Sequence, residues 1–256
     1  MFKTALSVNL NKIALIRNSR EGDYPSVVDH AKICIDHGAD GITIHPRPDQ
    51  RHIRPQDARD LKSLITEINK TRTTPVEFNI EGNPFAGPKG NYPGLIPLVE
   101  ETQPDQCTLV PDSDGQLTSD HGFDLNQSED TLRPIIKQLK ANGIRVSLFM
   151  DPDLSQIKLA KDVGADRIEL YTGPYAAAWD TERFKRIFEQ HYNAAELARE
   201  LGLGLNAGHD LNLENLKKYA SIPGLLEVSI GHALTVDSIA MGMGKAVKCY
   251  KALLSN

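Results

Sequence analysis

The chain is poor in cysteine and has no long apolar run, and each shortage excludes a class of protein. Its 256 residues include only three cysteines, Cys34, Cys107 and Cys249. They are too few and too irregularly spaced for a disulfide framework or a zinc knuckle, so we expect each to pack within a helix or strand. No run approaches the roughly 20 apolar residues of a membrane span, and no signal peptide is apparent. We therefore expect a cytoplasmic protein that does not contact a membrane.

Positive charge is also scarce, with 29 Lys and Arg against 34 Asp and Glu and a net charge of −5. Binding along a nucleic-acid backbone needs clustered Lys and Arg, so nucleic acid is not an expected partner. A small anion needs only a few local donors. The charge balance therefore leaves small phosphorylated molecules as candidate ligands.

Eight short apolar runs recur along the chain, and each stops at a polar or reactive residue. Helical patterns separate them, and helix–Gly–strand junctions such as DHGADGITI repeat at roughly the 30-residue length of a βα unit. The runs lack clean alternation, as is typical of strands buried on both faces. They are SVNLN (7–11), GITIHPR (41–47), VEFNIEGN (76–83), CTLVPD (107–112), VSLFMD (146–151), IELYTG (168–173), LGLNAGH (203–209) and VSIGH (228–232).

This repeat, in a chain near the ~250 residues typical of the fold, predicts an α/β protein with a single (β/α)8 TIM barrel over residues 1–256. Extra helical segments are expected, including a helix that starts near 128 and one over 232–254. Arg17 and Arg20 fall in a predicted loop after the first strand. Two further loops, 82–94 and 111–124, follow strands, and loops of this length are often lids. All eight strand ends meet at one face of such a barrel, where the chemistry is done.

Imidazoles and carboxylates fall at five of these strand ends. Histidine titrates near neutrality, and a carboxylate in a crowded mouth can have a raised pKa, so the pattern predicts proton transfer. These groups could also ligate a divalent ion. We expect no metal, however, because no HxH or HExxH spacing is present and Arg47 in the same mouth would repel a cation. The strand-end groups are His45, Glu81, Glu169, His209 and His232.

Two places favour anion binding. Barrel enzymes commonly hold phosphate at the loops after strands seven and eight, where Gly208 and Gly231 permit close backbone approach. A basic cluster follows the second strand. Two phosphate sites indicate two phosphorylated substrates or one bisphosphate; tight turns and a solvated basic loop are the structural alternatives. The cluster consists of Arg47, Arg51, His52 and Arg54.

Over roughly residues 5–254 these motifs together resemble the pyridoxine 5′-phosphate synthase family. The resemblance implies an enzyme that condenses 3-amino-2-oxopropyl phosphate with 1-deoxy-D-xylulose 5-phosphate by multi-step acid–base catalysis. The products are pyridoxine 5′-phosphate, phosphate and water, and no cofactor is used. Homo-oligomers built from dimers, up to octamers, are also implied. The motifs are SVNLNKIALIRNSR (7–20), GADGITIHPRPDQRHIR (38–54), FNIEG (78–82), LVPD and QLTS (109–119), VSLFMDPDLSQIK (146–158), IELYTGPYA (168–176), LNAGHDL (205–211) and IGHAL (230–234).

The resemblance also implies a role for each matching position. His45 is the base, Glu81 the acid–base carboxylate, His209 the proton donor to the leaving phosphate, and Glu169 the group that stabilises transition-state charge. The implied aminoketone phosphate site consists of Asn9, Arg20, Gly231 and His232. The implied pentulose phosphate site consists of Arg47, His52 and Thr118, the last in the lid-like loop 111–124.

Three positions depart from the family pattern but stay in our predicted substrate-binding set. Asn11 and Lys12 stand where Asp-His is common, and Asp210 stands in place of Gly. We expect Lys12 to donate to a hydroxyl or phosphate. We expect the Asp210 carboxylate to turn away from a bound phosphate and to leave only its backbone N–H there. Loop 82–94 is also longer than usual.

Two other functions remain open. One is a different barrel enzyme on a phosphosugar, an aldolase or isomerase. A Schiff-base aldolase needs a strand-end Lys, and Lys12 alone is near such a position; a metal isomerase would lose activity to chelators. The other is a non-catalytic protein that binds a B6 phosphate, which the departures at Asn11, Lys12 and Asp210 motivate.

Overall fold

Eight parallel strands close into a barrel in the computed structural model, which describes residues 4–255. The ends of the predicted domain, residues 1–3 and 256, lie outside that range. Each strand pairs with its neighbours in sequence, and β8 pairs with β1 to close the sheet. The predicted (β/α)8 barrel is confirmed. The strands are β1 (Ala5–Asn9), β2 (Gly41–Ile44), β3 (Glu77–Gly82), β4 (Gln106–Leu109), β5 (Arg145–Met150), β6 (Arg167–Tyr171), β7 (Gly204–Gly208) and β8 (Leu225–Ile230).

Helices connect the strands and pack around them. Ser26 caps the second helix by accepting the Asp29 N–H at 3.1 Å, and Pro55 opens the third. Within residues 4–255 the helices are α1 (Asn11–Asn18), α2 (Val27–Asp36), α3 (Pro55–Asn69), α4 (Leu95–Thr102), α5 (Leu125–Ala141), α6 (Leu154–Asp162), α7 (Gly173–Ala178), α8 (Phe184–Glu200), α9 (Leu216–Tyr219), α10 (His232–Met241) and α11 (Met243–Leu253).

Three helix predictions were wrong. The predicted loop after β1 is helix α1, whose first N–H, that of Asn11, donates to Asn9 Oδ1 at 3.0 Å. Helix α5 begins before 128 because Asp124 caps it, accepting the Asn126 N–H at 3.1 Å. The predicted helix over 232–254 is two helices, which break at Gly242, where φ is 86°. Glycine adopts that conformation without the steric cost that a side chain would add.

The strands do alternate, contrary to the sequence-based interpretation. Residues such as Ile42 and Ile44 join the apolar core shared with the helices. The residues between them are polar, and several bond to one another inside the barrel: the Ser7 and Thr43 hydroxyls lie 2.7 Å apart. Both sides of β2 are buried, so its apolar and polar residues alternate without any alternation in exposure. We name this set the interior polar layer; it consists of Ser7, Thr43, Asn79, Gln106, Thr108, Ser147, Asn206 and Glu227.

The cysteines lie where the sequence predicted. Cys34 is in α2, Cys107 in β4 and Cys249 in α11, and all three are free thiols. Burial raises the pKa of Cys34 to about 12, so this thiol is not a nucleophile at neutral pH.

Across residues 4–255, every helix is too short or too polar to cross a bilayer.

The two long loops lie together above the carboxyl ends of the strands, as predicted. Asn83, in the first loop, donates from Nδ2 to the backbone oxygen of Asp112 in the second, at 2.6 Å. Arg51 Nη1 donates to the Gln116 backbone oxygen at 2.7 Å. The 111–124 loop is therefore held from two sides.

Candidate active site

A cavity of about 380 Å³ opens at the carboxyl ends of the strands. It brings together side chains that range from residue 9 to residue 232 in the sequence. Most of the predicted site residues line it: Asn9, Asn11, Lys12, His45, Arg47, His52, Glu81, Thr118, Glu169, His209, Asp210, Gly231 and His232.

Two arginines from the predicted loop after β1 do not line this cavity. Arg20 follows α1 and is exposed. Arg17 is buried within α1 and binds Asp57 through two hydrogen bonds, of 2.5 and 2.9 Å. Because residues 11–18 form a helix that the sequence pattern did not indicate, the Arg17 side chain lies against α3 and stabilises the packing of the two helices.

His45 lies directly after β2, between two carboxylates. Its Nε2 is 3.0 Å from Asp112 Oδ2, and its Nδ1 is 3.7 Å from Glu81 Oε2. Asn9 Nδ2 donates to the same Glu81 oxygen at 3.4 Å. The backbone N–H of His45 donates to Asn11 Oδ1 at 2.9 Å, which fixes the end of the strand. The imidazole thus has an acidic group at each nitrogen and is placed to relay a proton.

Asp112 is the functional residue that sequence reasoning missed. Burial works against its ionisation, but the hydrogen bond and charge of His45 and the charge of Arg47 outweigh burial and lower the pKa of Asp112 to about 2. Arg47 Nη2 donates to its Oδ2 at 2.6 Å. A fixed negative charge therefore lies beside His45. Asp112 ends the fourth apolar run, so the same strand-end pattern could have identified it.

Glu81 and Glu169 have the opposite character. Burial, with the charges of Asp112 and Glu227, raises the pKa of Glu81 to about 8. Burial, with the charges of Glu81 and Glu227, raises the pKa of Glu169 well above its usual range. The surroundings therefore favour the protonated form of both carboxyl groups, the state that a general acid needs.

Gly208 allows β7 to approach Glu169 closely. A Cβ at position 208 would lie 2.5 Å from Glu169 Oε1 and 2.9 Å from the Ser229 backbone oxygen, both inside contact distance. The other Glu169 oxygen, Oε2, is buried and has no hydrogen-bond partner among the described residues. Buried polar atoms of this kind call for a partner, and Glu169 lines the cavity, so a bound ligand can supply one.

His52 lines the cavity as a neutral ring. Burial, with the charges of His45 and Arg47, lowers its pKa to about 3. Its Nδ1 accepts the Ile53 N–H at 2.9 Å, so the ring proton is on Nε2 and is available as a donor. Arg47 Nη1 donates to the Gln116 backbone oxygen at 2.9 Å and joins this edge of the cavity to the 111–124 loop.

His209 follows β7 and contacts that loop from the other side. Its Nε2 lies 2.8 Å from Thr118 Oγ1, and its Nδ1 lies 3.0 Å from Asp210 Oδ2. The Tyr171 ring packs edge-on against the imidazole at 5.3 Å between centroids. The Thr172 hydroxyl donates to the His209 backbone oxygen. The ring and its backbone are both held in place.

The start of α10 forms another edge of the cavity. Gly231 is the N-cap and His232 the first residue of this ten-residue helix, and both line the cavity. The first N–H groups of a helix have no partner within the helix and favour an anion. A Cβ at Gly231 would lie 3.1 Å from the Asn9 Cβ, so glycine leaves room for Asn9.

Among residues 4–255, no three or more His, Cys, Asp or Glu residues group in a way that could hold a metal ion.

Solved structures with the same fold include other barrels. The chain covers 98% of 3-hexulose-6-phosphate synthase from Salmonella typhimurium, with a TM-score of 0.62 and 16% identity. It covers 92% of a tryptophan synthase chain from M. tuberculosis, with a TM-score of 0.64 and 10% identity. These alignments include 98% and 99% of this chain. At such identities the similarity shows the fold alone.

Relatives at much higher identity share nearly the whole length. A pyridoxine 5′-phosphate synthase of Xanthomonas axonopodis pv. citri is 54% identical over 252 residues, 98% of this chain and 96% of the relative. One from Xylella fastidiosa is 49% identical over 255 residues, 99% and 96% of the two chains. Residues 6–256 match the family described as pyridoxal phosphate biosynthesis protein PdxJ. The chain belongs to the PdxJ family.

Proposed function

We propose that this chain is a pyridoxine 5′-phosphate synthase, with the whole chain acting as one catalytic domain. It condenses 3-amino-2-oxopropyl phosphate with 1-deoxy-D-xylulose 5-phosphate and releases pyridoxine 5′-phosphate, phosphate and water. The observation that carries this proposal is the His45–Glu81 contact, at 3.7 Å, in a cavity with anion-binding groups at two edges. The family and the names of its relatives support the same reaction.

In this proposal the four predicted catalytic groups divide the proton transfers. His45 accepts a proton, and the charge of Asp112 beside it stabilises the imidazolium that results. Glu81 begins protonated, since its pKa is raised to about 8, and can donate and then recover a proton. Protonated Glu169 stabilises oxygen charge by hydrogen bonding. His209 protonates the departing phosphate.

The two edges of the cavity suit one phosphorylated substrate each. We assign the aminoketone phosphate to the N–H groups of Gly231 and His232 at the start of α10, near Asn9. We assign the pentulose phosphate to the edge after β2, where Arg47 and the Nε2 proton of His52 are donors. Thr118, Asn11, Lys12 and Asp210 complete the predicted substrate-binding set. Arg20 is not assigned a contact in this cavity.

The direct test is to mix the purified protein with both substrates and follow the pyridoxine ring chromophore. We expect product and phosphate in equal amounts, and neither product when one substrate is left out. Tight binding of pyridoxine 5′-phosphate without turnover would instead identify a binding protein. Activity abolished by a chelator would favour a metal-dependent barrel enzyme.

Lys12 provides a test of the pentulose site. Lys12 stands where His is common in the family, we assign it to the pentulose, and it lines the cavity. Lys12→Ala is expected to raise the KM for the pentulose phosphate about tenfold, the effect of losing one charged hydrogen bond. The KM for the aminoketone phosphate should stay unchanged in the same steady-state assay.

The control for this prediction is Lys32→Ala, because Lys32 is an exposed lysine on α2. It should leave both KM values unchanged. Equal increases in the two KM values after Lys12→Ala would show that Lys12 does not distinguish the substrates.

We further propose that the chain works as a homo-oligomer in the cytoplasm. Apolar side chains are exposed on the neighbouring helices α1 and α10, where Leu15, Ile16, Val236 and Ile239 are 42%, 46%, 50% and 78% exposed. Exposed apolar side chains that lie close together favour contact with another subunit. The three free thiols are consistent with a reducing compartment.

A further inference from the structure

Two consecutive residues at the end of β7 have left-handed backbone conformations. The φ angles are 87° for His209 and 57° for Asp210. Such angles are unfavourable for residues with a Cβ and persist where the surroundings hold them. The family pattern has glycine at position 210, where the conformation costs least. This chain instead carries a carboxylate there, at the edge of the cavity.

The carboxylate turns towards the catalytic imidazole. Asp210 Oδ2 lies 3.0 Å from His209 Nδ1, while His209 Nε2 lies 2.8 Å from Thr118 Oγ1. An ionised carboxylate only accepts hydrogen bonds, so the contact requires a proton on Nδ1. The ring is thereby oriented with Nε2 towards Thr118, the implied ligand of the pentulose phosphate. The Asp210 carboxylate is therefore directed at the His209 ring.

The charges around Asp210 keep it ionised. The hydrogen bond from His209 lowers the pKa of Asp210 most, against burial, and the charges of His209, His232 and Lys12 lower it further. Lys12 is on α1 and His232 on α10, and Tyr171 on β6 also faces this group. Lys12 is itself a departure from the family pattern. A positive charge at position 12 therefore accompanies the negative charge at position 210.

We propose that Asp210 is a positioning residue that holds the His209 ring with a proton on Nδ1 and directs Nε2 towards the departing phosphate. Before the phosphate leaves, the carboxylate stabilises the imidazolium. As the carbon–oxygen bond breaks, its electron pair goes to the phosphate oxygen, which takes the Nε2 proton. The ring, now neutral, keeps the proton on Nδ1, which remains hydrogen-bonded to the Asp210 carboxylate. The role of His209 as the donor rests on the proposed function.

The test compares Asp210→Gly, which restores the family residue and relieves the backbone, with Asp210→Asn, which keeps the side-chain volume. Because both remove the anionic acceptor, we expect each to lower kcat about tenfold or more while the KM values change less than about twofold. The second readout is nitrogen NMR of histidine-labelled protein without substrate, with His209→Gln used to assign the signal. Wild-type His209 should show a protonated Nδ1 in its neutral form, and Asp210→Gly should lose that preference.

Asp180→Gly is the matched control. Asp180 is an exposed aspartate with φ of 58°, and it does not line the cavity. This variant should leave kcat and the His209 signal unchanged. An Asp210→Gly variant with wild-type kcat and an unchanged His209 signal would overturn the proposal. Wild-type protein that forms no product would contradict the proposed function instead, and the NMR signal would still test the contact between Asp210 and His209.

Discussion

Replacing Glu81 with Gln should lower kcat at least ~100-fold, the usual contribution of a positioned acid–base group. The amide has the same shape and can keep the Asn9 contact, but it neither releases nor accepts the proton. Glu67→Gln, an exposed change on α3, is the matched control and should leave kcat unchanged. Steady-state rates with both substrates saturating measure the effect. Near wild-type turnover in Glu81→Gln would remove this carboxyl from the mechanism.

The same substitution is expected to stabilise the protein at alkaline pH. The folded state keeps the Glu81 proton up to a pKa of about 8, whereas an unfolded chain releases it near pH ~4.3. The folded state then binds more protons than the unfolded state, so this group reduces stability as pH rises from about 4 to about 8. Glu81→Gln removes that loss. Its Tm should exceed that of wild type at pH 8 and approach it at pH 5; a lower Tm at pH 8 would contradict the raised pKa.

Asp57→Ala should lower the free energy of unfolding by about 3–5 kcal/mol, the cost of breaking a buried ion pair from one side. The side chain of Arg17 is 4% exposed and that of Asp57 is 11% exposed, so the arginine would keep its charge with little access to water. Asp57 Oδ2 also accepts the Arg54 N–H at 2.7 Å and so caps α3. The substitution therefore removes a helix cap as well as the counter-charge.

Urea unfolding followed by circular dichroism measures this effect. Asp60→Ala is the control, since Asp60 is exposed on the same helix, and it should change stability by less than about 0.5 kcal/mol. A loss below about 1 kcal/mol in Asp57→Ala would mean that Arg17 reaches water or another partner.

The grouping of the candidate catalytic residues around one cavity could be predicted because it depends on strand ends, which the sequence marks clearly. A parallel barrel brings all such ends to one face, so His45, Glu81 and His209 could be placed together without knowledge of any contact. Asp112 ends the fourth run in the same way, but it precedes a loop, and its role depends on the His45 contact. That contact is a distance between side chains, which no spacing in the sequence reports.

Features set by tertiary contacts escaped prediction. Helix α1 has a weak apolar pattern, and Arg17 on it is fixed by Asp57, forty residues away. The polarity inside the barrel was overlooked because most strand positions are buried, whether they face the helices or the barrel interior, so exposure gives no period of two. The chain breaks at Gly242 because this residue has a positive φ. A glycine at this position indicates a possible break, but the apolar pattern continues across it and led to the prediction of one helix.

The interior polar layer divides the barrel into positions with unequal freedom to mutate. Helix-facing residues such as Ile42 can exchange with other aliphatic residues of similar volume at low cost. Inside the barrel, Thr108 Oγ1 donates to Asn79 Oδ1 at 3.1 Å. Replacing either residue with an apolar one would leave the polar atom of the other buried without this hydrogen bond. Evolutionary drift should therefore accumulate on the outer side of each strand, while the inner side changes only when bonded neighbours are replaced together.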